Sequence, residues 1–412
     1  MPPYIVDTNN GTSVEDFQIR EKLLAKLKKR FTTYGYKQIR TSTFEYYDMY
    51  STVKGTVNKD DMIKVIDSSG KVLVLRPDVT IPITRMAAVS KQDSLRLFYV
   101  LDIFRQSIEQ ADTKENTQAG IEYFGENTSE NNAEVLMLAI HTLKDLKLPN
   151  FKIEIGHAGF FKALIAEASL SQTEMDQLLA LIQSKNIAEI ELFLSELSIN
   201  NDVKRAIQSI PMLYGNPTDV IRQAEEIILN EEMQLLLENL REVYEVLKNY
   251  GAEDSIVFNL GLINHMNYYS GIIFQGFADS VGKPVLMGGR YDNLGKQYGA
   301  AVPAIGFAFD VDLLLHALTR QEAFPDQAPS ADMIIYYEKE KQKNALTTAF
   351  RLRSEGYQVL TFLTGTTNTI DSKSAIHYEN NQNVLIHNNE KRTFTNFTEL
   401  YENILQFGKG DM

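Results

Sequence analysis

The sequence predicts an α+β chain: antiparallel strand pairs and helices in one large domain, a helical insertion within it, and a small α/β domain after it. Three observations carry this. Residues 62–67 and 71–76 are β-rich runs separated by Ser68-Ser69-Gly70, the pattern of an antiparallel hairpin. Across residues 160–250 apolar side chains recur at helical spacing with no strand signal. Beyond the polar, proline-bearing stretch 324–330, which reads as a linker, strand and helix patterns alternate. The expected division is residues 1–325, with the insertion at about 160–250, and residues 331–412.

The first helix is expected to start at Ser13, with Asp16 three residues later in a capping-box-like arrangement, and to end at Gly35, the residue type that best accepts a left-handed cap. Phe17, Leu24, Leu27 and Phe31 mark its buried face, so the basic run 22–30 reads as its solvated face. A short strand follows at 36–40. Residues 95–101 and 118–124 form a second antiparallel pair, with the polar stretch 106–117 as a mobile loop between them. A helix at 131–147 leads to a strand at 151–155. In the insertion, Leu178, Leu179, Leu181 and Ile182, then Ile190, Phe193, Leu194 and Leu197, then residues 235–247 keep helical spacing. Strands resume at 256–260, 271–277 and 284–287, before a helix at 311–318. The small domain reads as strand 333–337, helix 341–355, strands 357–362 and 383–387, and helix 396–407.

Composition removes several function classes. Absence of cysteine excludes disulfides, thiolate metal sites and cysteine nucleophiles, and fits a reducing, cytoplasmic compartment. A net charge of −13 disfavours broad affinity for nucleic-acid backbones. No stretch approaches membrane-spanning length. With six histidines and none at metal-site spacing, no metal is expected, and without a Walker loop or GxGxxG no nucleotide cofactor is expected either.

Four segments bear chemistry. Leu75-Arg76-Pro77-Asp78-Val79-Thr80 ends a strand; in an extended segment Asp78 and Thr80 face one side, where together they suit an ammonium group. The other reading is an N-cap for a helix begun by Pro82. Gln118, Gly120 and Glu122 share a strand face, with glycine leaving room for a ligand; a solvated alternating face is the alternative. Tyr268-Tyr269 leads into a strand, and Gly288-Gly289-Arg290-Tyr291-Asp292 follows one. Paired glycines admit close approach of a ligand to the backbone, and equally serve tight turns.

Taken in order, RFTTYGYKQIRTSTFE (30–45), LRPDVT, Phe104-Arg105, QAGIEYFG, NYYSG, GGRYDNL and PAIGFA resemble histidyl-tRNA synthetases over residues 15–320. The resemblance implies a class II aminoacyl-tRNA synthetase-like antiparallel sheet flanked by helices, and a dimer. The tail, with Ala349, Leu352-Arg353, Gly356 and Val359, is similar to the first half of that family's anticodon-binding domain up to about residue 365. It further implies a histidine pocket of Asp78, Thr80, Gln118, Glu122, Tyr268 and Tyr269, with Arg105 as the first of three expected arginines and Gly288 and Gly289 at its floor. Asp78 is one methylene shorter than the family's glutamate.

Activation of an amino acid needs cations on the α-phosphate. The second arginine belongs where the chain has residues 264–267 (Asn-His-Met-Asn), and the third where it has Phe309 to Leu314, with Leu313 among them. The motif-one proline is Ser42. A synthetase-like pocket without activation chemistry resembles the regulatory subunits of ATP phosphoribosyltransferase. That resemblance implies no catalysis, a hetero-oligomer of homodimers with short-form catalytic subunits, and feedback control by L-histidine. The alternative is a divergent, active histidyl-tRNA synthetase.

Overall fold

The computed structural model describes residues 14–51, 57–90, 92, 94–106, 114–263, 268–279, 281–321, 331–367, 370–379 and 382–408. The chain divides into two compact units, residues 1–323 and 324–412. Ser13, most of the polar loop after Gln106, residues 264–267 and the linker 324–330 lie outside the described residues.

The first unit opens with α1 (Val14–Thr33), which buries Leu23, Leu24, Leu27 and Phe31 and leaves Lys22, Lys26 and Lys29 exposed. Phe17 does not join the buried face; it is 54 % exposed, a turn before the stripe meets the sheet. Gly35 closes the helix at φ +80°. The strand expected at 36–40 shrinks to β1 (Lys37–Gln38). β2 (Phe44–Tyr46) was too short to read from sequence, and α2 (Tyr47–Ser51) follows it. β3 (Lys64–Ile66) and β4 (Val72–Leu75) form the expected hairpin, its turn held by Asp67, whose carboxylate accepts from the Ser69 and Lys71 amides at 2.8 and 2.9 Å. With β2 they make a three-stranded sheet, order β2-β4-β3. Next come α3 (Thr80–Ala88), β5 (Leu95–Phe104), β6 (Glu115–Phe124), α4 (Ser129–Asp145) and β7 (Lys152–His157).

The insertion contains α5 (Ala158–Ala166), α6 (Gln172–Gln183), α7 (Ile187–Glu196), α8 (Asn201–Ser209), the two-residue β8 (Tyr214–Gly215), α9 (Pro217–Glu225) and α10 (Glu231–Asn249). Its helices begin for a local reason. Ser171 forms a capping box with Glu174, and Asn186, Asn200, Asn216 and Asn230 cap α7 to α10 in turn, each cap contributing about 1 kcal/mol. β9 (Ile256–Asn259), β10 (Ile272–Phe277), β11 (Leu286–Arg290), β12 (Ala304–Asp310) and α11 (Val311–Arg320) complete the unit.

These strands form one nine-stranded sheet, order β1-β5-β6-β12-β11-β10-β7-β9-β8. From β5 to β7 every pairing is antiparallel, as expected; β1 with β5 and β7 with β9 are parallel, so the sheet is mixed. β12, near the centre, was not expected as a strand. Ala304, Gly306 and Ala308 weaken its β pattern, and pairing with β6 and β11 on both sides overrides that propensity. On one sheet face Phe31 of α1 meets Phe98 and Phe307 at centroid distances of 5.7 and 6.2 Å. Burying each such ring contributes about 1.5–3 kcal/mol.

The second unit is a five-stranded sheet, order β14-β13-β15-β16-β17, from β13 (Ala331–Tyr337), β14 (Val359–Leu363), β15 (Ser372–Tyr378), β16 (Asn383–His387) and β17 (Glu390–Phe394). α12 (Gln342–Ser354) and α13 (Phe397–Gly408) supply Leu352, Leu400 and Ile404 to a core with Met333, Ile335 and Leu385. β15 and β17 were missed. β17 is set by its partner and by the turn, where Asn388 and Asn389 both take positive φ, as two-residue hairpin loops require.

Candidate effector-binding site

A cavity of about 830 Å³ gathers Asp78, Thr80, Arg105, Gln118, Glu122, Tyr268, Tyr269 and Gly288. Four segments far apart in sequence meet here because β6, β12 and β11 are adjacent strands and α3 packs against β6.

Glu122 is the centre. It is buried in β6, accepts a hydrogen bond from Thr80 Oγ1 at 2.7 Å through Oε1, and accepts another from the Tyr291 hydroxyl through Oε2. Gly306 lies directly opposite on β12, and a Cβ there would overlap the Glu122 carboxylate, so glycine is required by this close approach. Burial pushes the Glu122 carboxyl up to about 8; the hydroxyls of Tyr291 and Thr80 oppose that shift, and the charge of Asp78 adds to it.

Asp78 and Thr80 reach the cavity by a route other than the extended one. Val79 is helical (φ −106°, ψ −26°), Thr80 is the first residue of α3, and Asp78 Oδ1 accepts from the Ile81 amide at 2.8 Å. Asp78 thus caps the helix and lines the cavity at once. Burial raises its pKa, against the Ile81 amide and the nearby Arg105 charge. Arg105 is oriented by its Nε, which donates to the Pro77 carbonyl at 2.8 Å. Arg76, in the same motif, turns away: its guanidinium donates to the carbonyls of Thr41, Ser42 and Asp102 and splices three segments together.

The space above Gly120 is not left for a ligand. A Cβ there would lie 2.5 Å from the Tyr99 hydroxyl, so the glycine accommodates that phenol, which itself lines the cavity. Gly289 is similarly indirect: it is absent from the lining and makes room for the Tyr269 ring, 2.8 Å from where its Cβ would be. Tyr268 packs on Tyr269 at 4.6 Å and edge-on to Tyr291 at 5.7 Å, while Lys162 of α5 holds the Tyr269 carbonyl at 2.6 Å. Arg290 is a buried strut, bonded to Asn132 at 2.8 Å and Asp292 at 2.7 Å.

Toward the end of the cavity lined by β12 and α11, Leu313 occupies the region where an arginine was expected. Asp310 caps α11 through the Leu313 amide at 2.9 Å and accepts from Asn116 at 3.0 Å. An apolar side chain offers no charge to an α-phosphate. The position before Tyr268 lies outside the described residues. Sequence reasoning missed Tyr99, Gln183, Lys114 and Lys283 in the lining. The register of β5 on β6, with Tyr99 opposite Gly120, was a usable signal for the first; Gln183 arrives from the insertion with no local signal.

Comparison with known proteins defines the family. A histidyl-tRNA synthetase model matches residues 12–314. An ATP phosphoribosyltransferase regulatory subunit of Oceanobacillus iheyensis is 47% identical over 97% of this chain and 98% of its own. The chain belongs to the ATP phosphoribosyltransferase regulatory subunit family. A solved structure described as an ATP phosphoribosyltransferase regulatory subunit/histidyl-tRNA synthetase from Bacillus halodurans aligns with TM-score 0.77 at 30% identity, covering 87% of this chain and 92% of that one. A histidyl-tRNA synthetase from Nostoc sp. PCC 7120 shares the fold at TM-score 0.81 and 17% identity, over 98% and 99% of the two chains. The regulatory-subunit family therefore carries a synthetase fold, and the Oceanobacillus relative is named as a regulatory subunit. An active synthetase is not favoured. Among the described residues no helix is long and apolar enough to cross a membrane, and no cluster of three metal-ligating side chains occurs.

Proposed function

We propose that this chain is the non-catalytic regulatory subunit of a cytoplasmic ATP phosphoribosyltransferase, the first enzyme of histidine biosynthesis, and that its cavity is the histidine sensor. It joins short-form catalytic subunits, is needed for their activity, and contributes to feedback inhibition. The single supporting observation is the pairing of a buried acid, Glu122, held by Thr80 and Tyr291, with Leu313 at the place of a catalytic arginine: recognition groups kept where an activation group is replaced.

In this reading Asp78, Thr80 and Gln118 take the ligand ammonium, Glu122 with Tyr268 and Tyr269 takes the imidazole, and Arg105 takes the carboxylate. Gly288 lines the floor and Gly289 supports Tyr269. Histidine acts by differential affinity for two arrangements of the complex. By reciprocity the inhibited assembly binds histidine more tightly than the active one.

A homodimer within the hetero-oligomer is supported by the three-stranded sheet. Phe44, Tyr46, Val65, Leu73 and Leu75 share one face by register; Phe44 and Tyr46 are each 51% exposed. An apolar face of this kind marks an interaction surface.

Calorimetric titration of the wild-type protein and Glu122→Ala with histidine, alone and with the catalytic subunit, tests the sensor. Binding by the wild type and its loss in the variant are expected. No binding in either setting defeats the assignment.

A further inference from the structure

We infer that the helical insertion sets the effector affinity of the cavity, with Lys162 of α5 and Gln183 of α6 as positioning residues that hold the backbone of the aromatic wall. This rests on the histidine reading of the cavity and adds the element that presents Tyr268 and Tyr269 to the ligand.

The sequence of α5 is Ala-Gly-Phe-Phe-Lys-Ala-Leu-Ile-Ala, in which Lys162 is the one charged residue. Phe160, Leu164 and Ile165 are buried and seat the helix. Its placement does not need the lysine. His157 lies opposite Ile272 in the β7–β10 register, its ring caps α5, and the Ala158 amide donates to the Gly271 carbonyl at 2.9 Å. One turn further on, Lys162 Nζ donates to the Tyr269 carbonyl at 2.6 Å. Three successive residues leading into β10 are thereby tied: Tyr269 to Lys162, the Ser270 amide to the Arg290 carbonyl at 2.7 Å, and Gly271 to Ala158. The last two ties run from backbone to backbone and hold whatever side chains the partners carry. At Tyr269 the donor is a side chain, so this is the point where residue type controls how the ring is presented. The ring has little latitude, because it fills the space over Gly289 and packs on Tyr268 at 4.6 Å.

The second contact comes from another helix of the insertion. Gln183, the last residue of α6, lines the cavity beside Ile263 and donates through Nε2 to the Ile263 carbonyl at 3.2 Å. Leu178 and Ile182 bury the same helix. Ile263 comes after β9 and Tyr269 comes before β10, so α6 holds the chain ahead of the tyrosine pair and α5 holds it at the pair. A backbone fixed in the binding geometry before the ligand arrives lowers the ordering cost of association. Removal of either donor returns that cost to the ligand, while the acid end of the cavity around Glu122 keeps its bonds to Thr80 and Tyr291.

Histidine titration of the full-length protein by calorimetry tests this, beside urea denaturation of the same samples. Lys162→Met keeps the alkyl stem and removes the donor; its dissociation constant should rise about tenfold with the denaturation midpoint unchanged. Lys162→Arg, which keeps a charged donor, should recover most of the affinity. Gln183→Met should weaken binding in the same direction, by about threefold. Unchanged dissociation constants in Lys162→Met and Gln183→Met overturn the inference and leave the histidine site standing. Affinity lost together with a lowered midpoint assigns both residues to the fold and overturns it as well. Absence of binding by the wild type overturns the site itself.

Discussion

Thr80 Oγ1 donates to Glu122 Oε1 at 2.7 Å, joining the first residue of α3 to the middle of β6. Forty-two residues of sequence separate the partners, and no local rule pairs them. Thr80→Val keeps the shape and removes the donor. Leaving a buried acceptor half-satisfied costs about 1–3 kcal/mol, so histidine affinity should fall by about one to two orders of magnitude. Calorimetry measures this, and an unchanged dissociation constant would place Thr80 outside the site.

Leu313 and Asp310 predict chemical silence. The wild-type protein should show no histidine-dependent ATP–pyrophosphate exchange above background, and Leu313→Arg alone should not create it, because the arginine expected at residues 264–267 is still lacking. Removing one such contact typically costs hundreds-fold in rate. Exchange by the wild type would revive the synthetase alternative.

His157 predicts an acid limb of stability. Its Nδ1 accepts from the Phe160 amide at 3.2 Å and so caps α5, which only the unprotonated ring can do. Burial holds its pKa down to about 4 from 6.5. The unfolded chain therefore binds more protons between these values; the stabilisation is present above pH 6.5 and lost as pH falls through about 4. Its size is on the order of 3 kcal/mol. Chemical denaturation of the wild type and His157→Asn, which keeps a capping oxygen, should converge as pH drops from 6.5 to 4. Parallel curves would refute the assignment.

The apolar sheet face predicts a disruptable dimer. Tyr46→Glu with Val65→Glu puts two charges on the face shared with Phe44 and Leu73. Light scattering after size exclusion should shift from dimer toward monomer mass while the circular dichroism spectrum is kept. Wild-type monomer at micromolar concentration would remove the proposal instead.

Elements with strong local chemistry were readable in the sequence. The stripe of Leu24, Leu27 and Phe31, the Ser68-Gly70 turn, the long β5 and β6, and the helical insertion follow from periodicity, capping and turn residues that act within a few positions. Order of motifs also indicated which polar segments belong together.

Tertiary structure decided what each residue does. Asp78 divides itself between a helix cap and the cavity, Arg76 leaves the cavity for backbone carbonyls, and Tyr99 takes the space sequence assigned to a ligand over Gly120. β12, weak in propensity, becomes a central strand because two neighbours complete its hydrogen bonds. The upward shift of the Glu122 carboxyl belongs to the same class. Its residue type is written in the chain, whereas its pKa depends on removal from water, on the Asp78 charge and on the two hydroxyls that folding brings to it. Periodicity is local and survives in a one-dimensional reading; desolvation and register are properties of assembled space.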